Sequence, residues 1–318
     1  MLTTTRKTIL LILLKHTLEN KMKKVGLIVI LAAVLTGALL TSCKKHPDNT
    51  MVDYNVELQT ISEYMYLQQF ADQFMQTFFK AVYDSTLISQ GFAKIDSAMV
   101  NYQNQHDTMR IQVVYWHSEQ NDWHHIDSYK HYRMGFFSFL SDSLFLERDT
   151  GRVVIEVEKP FYFDSLNVNI QNIDIRKTGI NDKGRQQFRV EFRDMVMSGE
   201  RYHKFTYRFS AAFDYELVRN GATGSLTDED YLLIKGNIAG NTKTRIGFHF
   251  ETGTDTLLEL VPACRFLRGG KGVLTMEGSN VPQNKSVIDY VASDGCANYY
   301  EVDFMNGFKT GGMIEARR

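Results

Sequence analysis

The sequence predicts a mainly β protein with an N-terminal helical segment, its antiparallel strands forming a sandwich or a curved open sheet. Two observations lead to this prediction. Apolar residues recur every three or four positions up to about residue 104, and then alternate at every second position. Strand-like runs follow one another with short turns between them and without interleaved helices, which is typical of antiparallel sheets.

The chain begins with features of a secretion signal. The uncharged apolar run at 25–40 follows Lys21, Lys23 and Lys24. A bilayer-spanning helix needs roughly 20 apolar residues and a signal core needs about 7–15, so the run favours a signal core. Met22 followed by two lysines is a complete start of its own. We therefore expect translation to begin at Met22 and residues 1–42 to be leader and signal peptide, with a genuine long leader as the alternative.

The signal ends at a cysteine. Leu40-Thr41-Ser42 precede Cys43, and the four residues resemble the lipobox of bacterial lipoproteins. In that class the cysteine is acylated and becomes the first mature residue, which implies a membrane partner through the lipid on Cys43. Stable anchoring needs two signals, and a lipoprotein terminus carries two or three acyl chains. Residues 43–51 would then form a lipidated tether; a plain membrane anchor or a secreted form is the alternative.

Charge and length exclude some classes of protein. The chain has 36 Lys and Arg against 37 Asp and Glu, and the leader is lysine-rich, so the remainder is mildly acidic. A well-mixed acidic surface offers no footprint for nucleic acid. Residues 43–318 are enough for one large β domain or two smaller ones. The sequence indicates no cofactor.

Three cysteines suggest one disulfide. If Cys43 carries lipid, Cys264 and Cys296 remain as an even pair in a compartment that permits oxidation. Their bond would stabilise the fold by roughly 3–4 kcal/mol in the chain-entropy model. Two buried free thiols are the alternative.

Helical spacing covers residues 52–104. A Phe and Met stripe that includes Phe70, Phe74 and Phe78 predicts a helix whose apolar side packs into the core. Asp84-Ser85 is a capping start for a second segment, whose apolar residues follow at steps of three or four through Met99. We therefore expect a pair of helices in this region.

The β regions span residues 105–219 and 220–318. Residues 205–217 alternate apolar and polar side chains, and 186–197 are the expected partner strand across a turn at 198–200. A phase slip after Ile170 predicts a bulge at Gln171-Asn172. A weak domain boundary is expected near 219–225, where the alternation breaks.

The C-terminal part resembles the closing segment of uncharacterised outer-membrane lipoproteins from Bacteroidota. The matching residues are Cys264, Phe266, Gly269, Ile288-Asp289-Tyr290, Gly295-Cys296 and Asn298. Val291 and Ala297 depart from that pattern, where the family has Gly and Asp. The resemblance covers about a quarter of the mature chain and implies an envelope lipoprotein, with no particular activity.

A second pattern resembles the O-glycosylation sequon of the same bacteria, Asp-(Ser/Thr) followed by an apolar residue or Thr. It occurs six times, where chance predicts about one. Turn and cap chemistry also favours Asp-Ser and is the alternative explanation. The candidate hydroxyls are Ser85, Ser97, Thr108, Ser143, Ser165 and Thr256.

Histidines cluster after residue 115. If residues 119–122 form a turn, His117 and His124 lie opposite each other and, with Glu119, supply ligands of the kind that zinc prefers. The site depends on an assumed register. The preferred interpretation is an exposed hairpin with polar faces, and the metal site is the alternative.

The functional prediction is a non-enzymatic binding or scaffolding β domain whose partner is an envelope protein or a glycan. The sequence contains no nucleophile elbow, zinc-protease or phosphate-loop motif. A polysaccharide-binding surface protein using Trp123, Tyr299 and Tyr300 is one alternative, and a metal-dependent enzyme at the histidine hairpin is another. Surface export signals of Bacteroidota lipoproteins resemble an acidic cluster just after the cysteine. This chain has Lys44-Lys45 at that position instead. This favours the periplasmic side of the outer membrane over the cell surface.

Overall fold

A long helix, α1 (Asn55–Val82), is followed by a short one, α2 (Ser85–Gln90). The computed structural model describes residues 55–115, 131–199, 206–220, 224–243, 245–262, 264, 266–278, 284–291, 299–305 and 307–313. The strands in these ranges are β1 (Phe92–Ile95), β2 (Ala98–Gln105), β3 (Thr108–Tyr115), β4 (Arg133–Asp142), β5 (Thr150–Phe163), β6 (Leu166–Val168), β7 (Ile173–Ile180), β8 (Gln186–Gly199), β9 (Thr206–Val218), β10 (Tyr231–Asn241), β11 (Gly247–Thr252), β12 (Leu258–Leu260), β13 (Gly270–Glu277), β14 (Lys285–Val291), β15 (Tyr299–Phe304) and β16 (Lys309–Met313).

All of these strands belong to one 16-stranded antiparallel sheet. Its order is β1-β2-β3-β4-β5-β6-β8-β9-β10-β11-β13-β14-β15-β16; β7 also pairs with β5 and β8, and β12 with β10. The predicted fold class, mainly β with an N-terminal helical segment, is confirmed. Of the two arrangements expected, the single sheet corresponds to the curved open sheet.

The sheet curves around α1. Rings of the helix contact rings of distant strands: Phe74 lies 5.7 Å from Phe137 of β4, and Phe79 lies 5.0 Å from Phe188 of β8. Tyr64 stacks at 4.7 Å on Phe250 of β11. One helix reaches strands so far apart in the sheet only if the sheet bends around it. Every side chain from 64 to 79 is buried, and each fully buried phenylalanine stabilises the fold by about 1.5–3 kcal/mol.

The predicted second helix is present and begins at the expected cap, Asp84, but its predicted extension through Met99 was wrong. α2 ends after six residues at Gly91, whose φ of 81° is a left-handed cap and whose N–H donates to the Leu87 carbonyl. A hairpin of β1 and β2 follows, joined by Asp96 and Ser97 with φ of 47° and 70°. Positive φ at both residues is the signature of the tight turn that matches strand twist. Met99 therefore lies in a strand, because apolar steps of three or four also arise across a short hairpin.

The predicted strand pair is confirmed, although Ser198 and Gly199, expected in the turn, are still part of β8. β8 and β9 are antiparallel, with Phe188 opposite Tyr215 and Val190 opposite Phe213. The phase slip after Ile170 is real, but its form differs from the prediction. The three residues Ile170–Asn172 make a turn of 3₁₀ helix between β6 and β7 instead of a bulge.

β9 and β10 pair from Tyr231↔Val218 to Asn241↔Arg208. The border predicted between 105–219 and 220–318 therefore runs through one continuous sheet. Contacts between backbone positions place the chain from Asp53 to Arg318 in one compact unit.

Candidate functional site: a polar cleft at the end of the central helix

Several predicted site residues lie outside the described residues. They are the lipidation residue Cys43, the metal candidates His117, Glu119 and His124, and Cys296. The expected start at Met22 and the signal peptide also lie there, so all of these stay predictions. Within the described ranges, no group of three or more His, Cys, Asp or Glu side chains is placed to hold a metal ion.

Cys264 is buried and disulfide-bonded. Both other cysteines of the chain lie outside the described residues, so its pairing with Cys296 stays a prediction. The carbonyl oxygen of Cys264 accepts a hydrogen bond of 2.7 Å from Gln76 Nε2 of α1. The helix is thereby bonded directly to the segment that carries this disulfide-bonded cysteine.

The six candidate glycosylation hydroxyls lie at turns or at the ends of elements. Ser97 and Ser165 occupy two-residue turns with positive φ, and Ser85 begins α2. Ser85, Thr108, Ser165 and Thr256 are exposed, and Ser97 and Ser143 are half-buried. Turn chemistry explains why Asp precedes several of them, and glycosylation of these accessible hydroxyls stays a prediction.

The aromatic residues considered for polysaccharide binding do not form one platform. Tyr299 and Tyr300 are neighbours in β15, so their side chains point to opposite faces of the sheet. Tyr300 packs against the core and Tyr299 lies against Gly311. Trp123 is outside the described residues.

A polar cleft of about 310 Å³ lies where α1 ends. This volume is at the lower end of the range of roughly 300–1,000 Å³ typical of small-molecule sites. One wall comes from the end of α1 and the β1–β2 hairpin, and the other from residues 225–228. The lining residues are Lys80, Asp84, Lys94, Ile95, Asp96, Ser225, Leu226, Thr227, Asp228 and Pro262.

The charges of the cleft are centred on Asp96. Its Oδ1 lies 2.6 Å from Lys80 Nζ, and its side chain is only 6% exposed. Its other oxygen, Oδ2, is buried and has no hydrogen-bond partner among the described residues. Leaving a buried acceptor unsatisfied costs about 1–3 kcal/mol. Asp96 thus lines the cleft with a carboxylate that the contact with Lys80 holds in position.

The far wall is held in place by buried polar contacts. Asp230 is fully buried and accepts from the backbone N–H of Thr227 at 2.8 Å and of Asn220 at 2.9 Å. The Ser225 hydroxyl accepts from the backbone N–H of Ser85 at 3.0 Å. The two walls are thus connected directly, which makes the cleft a largely preformed site.

Three comparisons with known proteins gave no match. No family model, no curated protein and no solved structure is significantly similar to this chain. Among the residues that the structure describes, no helix is both long enough and apolar enough to span a membrane.

The helix leading to the cleft has a buried polar side that bonds to the sheet. His131, fully buried, lies 2.7 Å from Asp164 Oδ2 and 3.1 Å from Gln69 Oε1. Arg133 donates to Gln73 Oε1 at 2.6 Å. These contacts lie within the core and position α1 against the sheet.

A buried carboxyl, that of Asp72, also lies on this helix. Asp72 is buried, and Gln68 Nε2 donates to its Oδ1 at 2.8 Å. Burial raises the pKa of Asp72 to about 8, although the hydrogen bond from Gln68 partly offsets the effect. Tyr64 and Tyr290 share a hydroxyl–hydroxyl hydrogen bond of 3.0 Å, and the charge of Asp72 contributes to the raised pKa of both tyrosines. Around neutral pH, Asp72 is therefore largely protonated.

Sequence reasoning missed the cleft because its residues come from three separate parts of the chain. It also assigned Lys94 and Asp96 to a helix, which would have turned them away from Lys80. One signal of the buried polar side was present. Residues 64–79 contain a single charged side chain, Asp72, whereas a solvated helix face of that length usually carries several.

Proposed function

We propose that this chain is a lipid-anchored cell-envelope lipoprotein with a non-enzymatic binding domain, and that the cleft is its binding site. The observation that carries the binding role is the preformed polar cleft itself, which the ion pair of Asp96 and Lys80 lines. Three carboxylates and two ammonium groups line the cleft. A ligand rich in hydrogen-bond donors fits it best, because the carboxylates are in excess.

The lipid anchor rests on the lipobox residues before Cys43. Cys43→Ala is expected to abolish incorporation of radiolabelled palmitate and to release the protein from the membrane fraction. Ser42→Ala is the matched control, because it keeps a small residue before the cysteine and should leave labelling intact. Equal labelling of Cys43→Ala and the unmodified protein would refute the anchor.

We place the protein at the outer membrane, facing the periplasm, on the basis of Lys44 and Lys45 after the lipid-bearing cysteine. Protease added to intact cells is then expected to leave the β domain uncut, while the same protease degrades it after the outer membrane is opened. Release of the β domain from intact cells would place it on the cell surface instead.

Polysaccharide binding is the second candidate, and the mixed lining of the cleft favours it. Sugar hydroxyls donate to carboxylates and also accept from ammonium groups such as Lys80 and Lys94. A glycan array probed with the full chain should then show binding that is lost in Asp96→Asn. An array signal that Asp96→Asn leaves unchanged would exclude the cleft as the glycan site.

A further inference from the structure

Three arginine side chains converge on one buried carboxylate, on the side of the sheet that faces away from α1. Arg152 Nε of β5 donates to Asp174 Oδ1 at 2.7 Å. Arg176 Nη2 of β7 and Arg193 Nη2 of β8 donate to Oδ2 at 2.7 and 2.9 Å. The Asp174 side chain is 6% exposed, whereas those of the arginines are between 47% and 58% exposed. The carboxylate is therefore a buried support beneath three solvent-facing guanidinium groups.

The sheet register makes this cluster electrostatically costly. Arg152 lies directly opposite Arg176, and Arg176 directly opposite Arg189. Like charges placed opposite each other across strands destabilise a sheet. Glu191 pairs with Arg193 at 2.5 Å, and an aspartate of β9 pairs with Arg189. Four arginines thus share three carboxylates, which leaves one positive charge in excess in a chain whose formal net charge is −1.

Donors remain available on these arginines. Arg152 uses only its Nε, and neither of its Nη atoms has a hydrogen bond within the described chain. Nη1 of Arg176 and of Arg193 is likewise unused there. A guanidinium group is a rigid fork that matches the oxygens of carboxylate and phosphate. Arg152 therefore keeps the two Nη atoms of one edge, and Arg176 and Arg193 each keep one Nη atom, as donors for a ligand.

Asp174 orients the three guanidinium groups in the absence of a ligand. Burial opposes ionisation of its carboxyl, but hydrogen bonds from Arg152 and Arg176 outweigh that effect and lower its pKa. The carboxylate is therefore charged over the physiological range and keeps the guanidinium groups oriented. Groups that are ordered in advance lose less conformational freedom on binding.

We propose that Arg152, Arg176 and Arg193, positioned by Asp174, form a binding site for a phosphate-type dianion such as a phosphomonoester. A doubly charged tetrahedral oxyanion has enough oxygen atoms to accept hydrogen bonds from several guanidinium groups at once. The site shares no residue with the cleft, so it goes beyond the proposed function and stands or falls independently of it. The phosphate group could come from a soluble molecule or from a lipid headgroup.

The first test is calorimetric titration of the full-length protein in detergent with inorganic phosphate, at pH 7.5 and low salt. We expect saturable binding with a dissociation constant on the order of 1 mM. Arg152→Gln combined with Arg193→Gln should weaken it at least tenfold. Arg110→Gln is the matched control, because Arg110 is a partly exposed arginine of the same sheet paired with Glu156 and Glu158. No saturable binding, or equal weakening in the control, would overturn the proposal.

A second measurement needs no variant, so a folding defect does not affect it. Phenylglyoxal labelling of the unmodified protein, read by peptide mass spectrometry, should show that phosphate protects Arg152 and Arg193 and leaves Arg110 reactive. Uniform labelling with and without phosphate would contradict the site. Flotation with phosphatidylcholine vesicles, with and without phosphatidic acid, identifies the source of the phosphate. Recruitment of the protein to vesicles that contain phosphatidic acid, lost in the double variant, indicates a lipid headgroup. Protection by free phosphate without recruitment to the vesicles indicates a soluble ligand.

Discussion

Replacing Asp72 with asparagine should stabilise the protein, and the gain should grow as the pH rises. The carboxyl is buried and its pKa is raised from 3.8 to about 8. In the unfolded chain it ionises near pH 4, so at neutral pH folding must reprotonate it or bury its charge. Asparagine has nearly the same shape, and its Oδ1 can still accept the hydrogen bond from Gln68. Its amide group adds donors beside Gln68 Oε1, which has no partner among the described residues.

The pKa values set the size and the pH range of the effect. Because the folded pKa of Asp72 is raised, its contribution to stability is fully present below about pH 4 and declines between about pH 4 and pH 8. Each pH unit in that interval costs about 1.4 kcal/mol, so the loss at pH 7 is about 4 kcal/mol. Above about pH 8 the loss levels off. Asp72→Asn should remove this decline.

Urea unfolding of the full chain at pH 5, 7 and 9 measures the effect. The contributions of all other titrating groups to the free energy of unfolding cancel when the variant is compared with the unmodified protein at each pH. Asp182→Asn, an exposed aspartate in the turn before β8, is the control and should shift the free energy of unfolding by less than about 0.5 kcal/mol. A difference between Asp72→Asn and the unmodified protein that stays constant from pH 5 to pH 9 would refute the reasoning.

Three further substitutions test packing, backbone and capping through urea unfolding. Gly236→Ala should lower the free energy of unfolding by about 2–4 kcal/mol, because its φ is +155° and a Cβ would lie 2.0 Å from a carbonyl oxygen of β9. Gly184 also has positive φ but faces open space, so Gly184→Ala should lower it by only about 1 kcal/mol. Equal losses in the two variants would contradict the clash. Phe79→Ala should lower the free energy of unfolding by about 3–5 kcal/mol, whereas Phe92→Ala, at a position 56% exposed, should lower it by less than about 0.5 kcal/mol. A small loss for Phe79→Ala would mean that α1 is loosely packed. Asp84→Ala should cost about 1 kcal/mol by removing the cap of α2, and an unchanged unfolding midpoint would show that the cap contributes nothing.

The strands could be predicted well where one face packs on the core and the other faces solvent. Residues 207–217 alternate because β9 is half-buried, and the same holds for its partner β8. Local periodicity is sufficient in such cases, since it follows directly from burial. The Phe stripe of α1 was predictable for the same reason.

Prediction was less successful where burial does not follow periodicity. The sheet curves around α1, so Asp72 and the glutamines at 68, 69, 73 and 76 are buried together with its phenylalanines. Around Gly91 the helical spacing continued by coincidence into a hairpin, because apolar residues on two antiparallel strands mimic a helical repeat. Neither error could be corrected locally, since burial by distant strands is a property of the whole sheet.

The candidate site shows the same limit. Lys80 and Asp96 are close enough in the sequence to suggest a pair once the hairpin is known. Ser225, Asp228 and Pro262 reach the cleft only through the curvature of the sheet. The arginine cluster also needs the register, because Arg152 and Arg176 come together only when β5 and β7 are aligned.

The position of α1 in the chain has a consequence for how the protein is made. The helix leaves the ribosome before every strand that covers it, and one of its core contacts, between Tyr64 and Tyr290, joins residues 226 positions apart. Contacts of such long sequence separation form slowly. During synthesis, an apolar helix rich in phenylalanine and glutamine must therefore remain uncovered until nearly the whole chain has been made. We expect the nascent protein to depend on holding chaperones and to aggregate when its C-terminal strands are truncated.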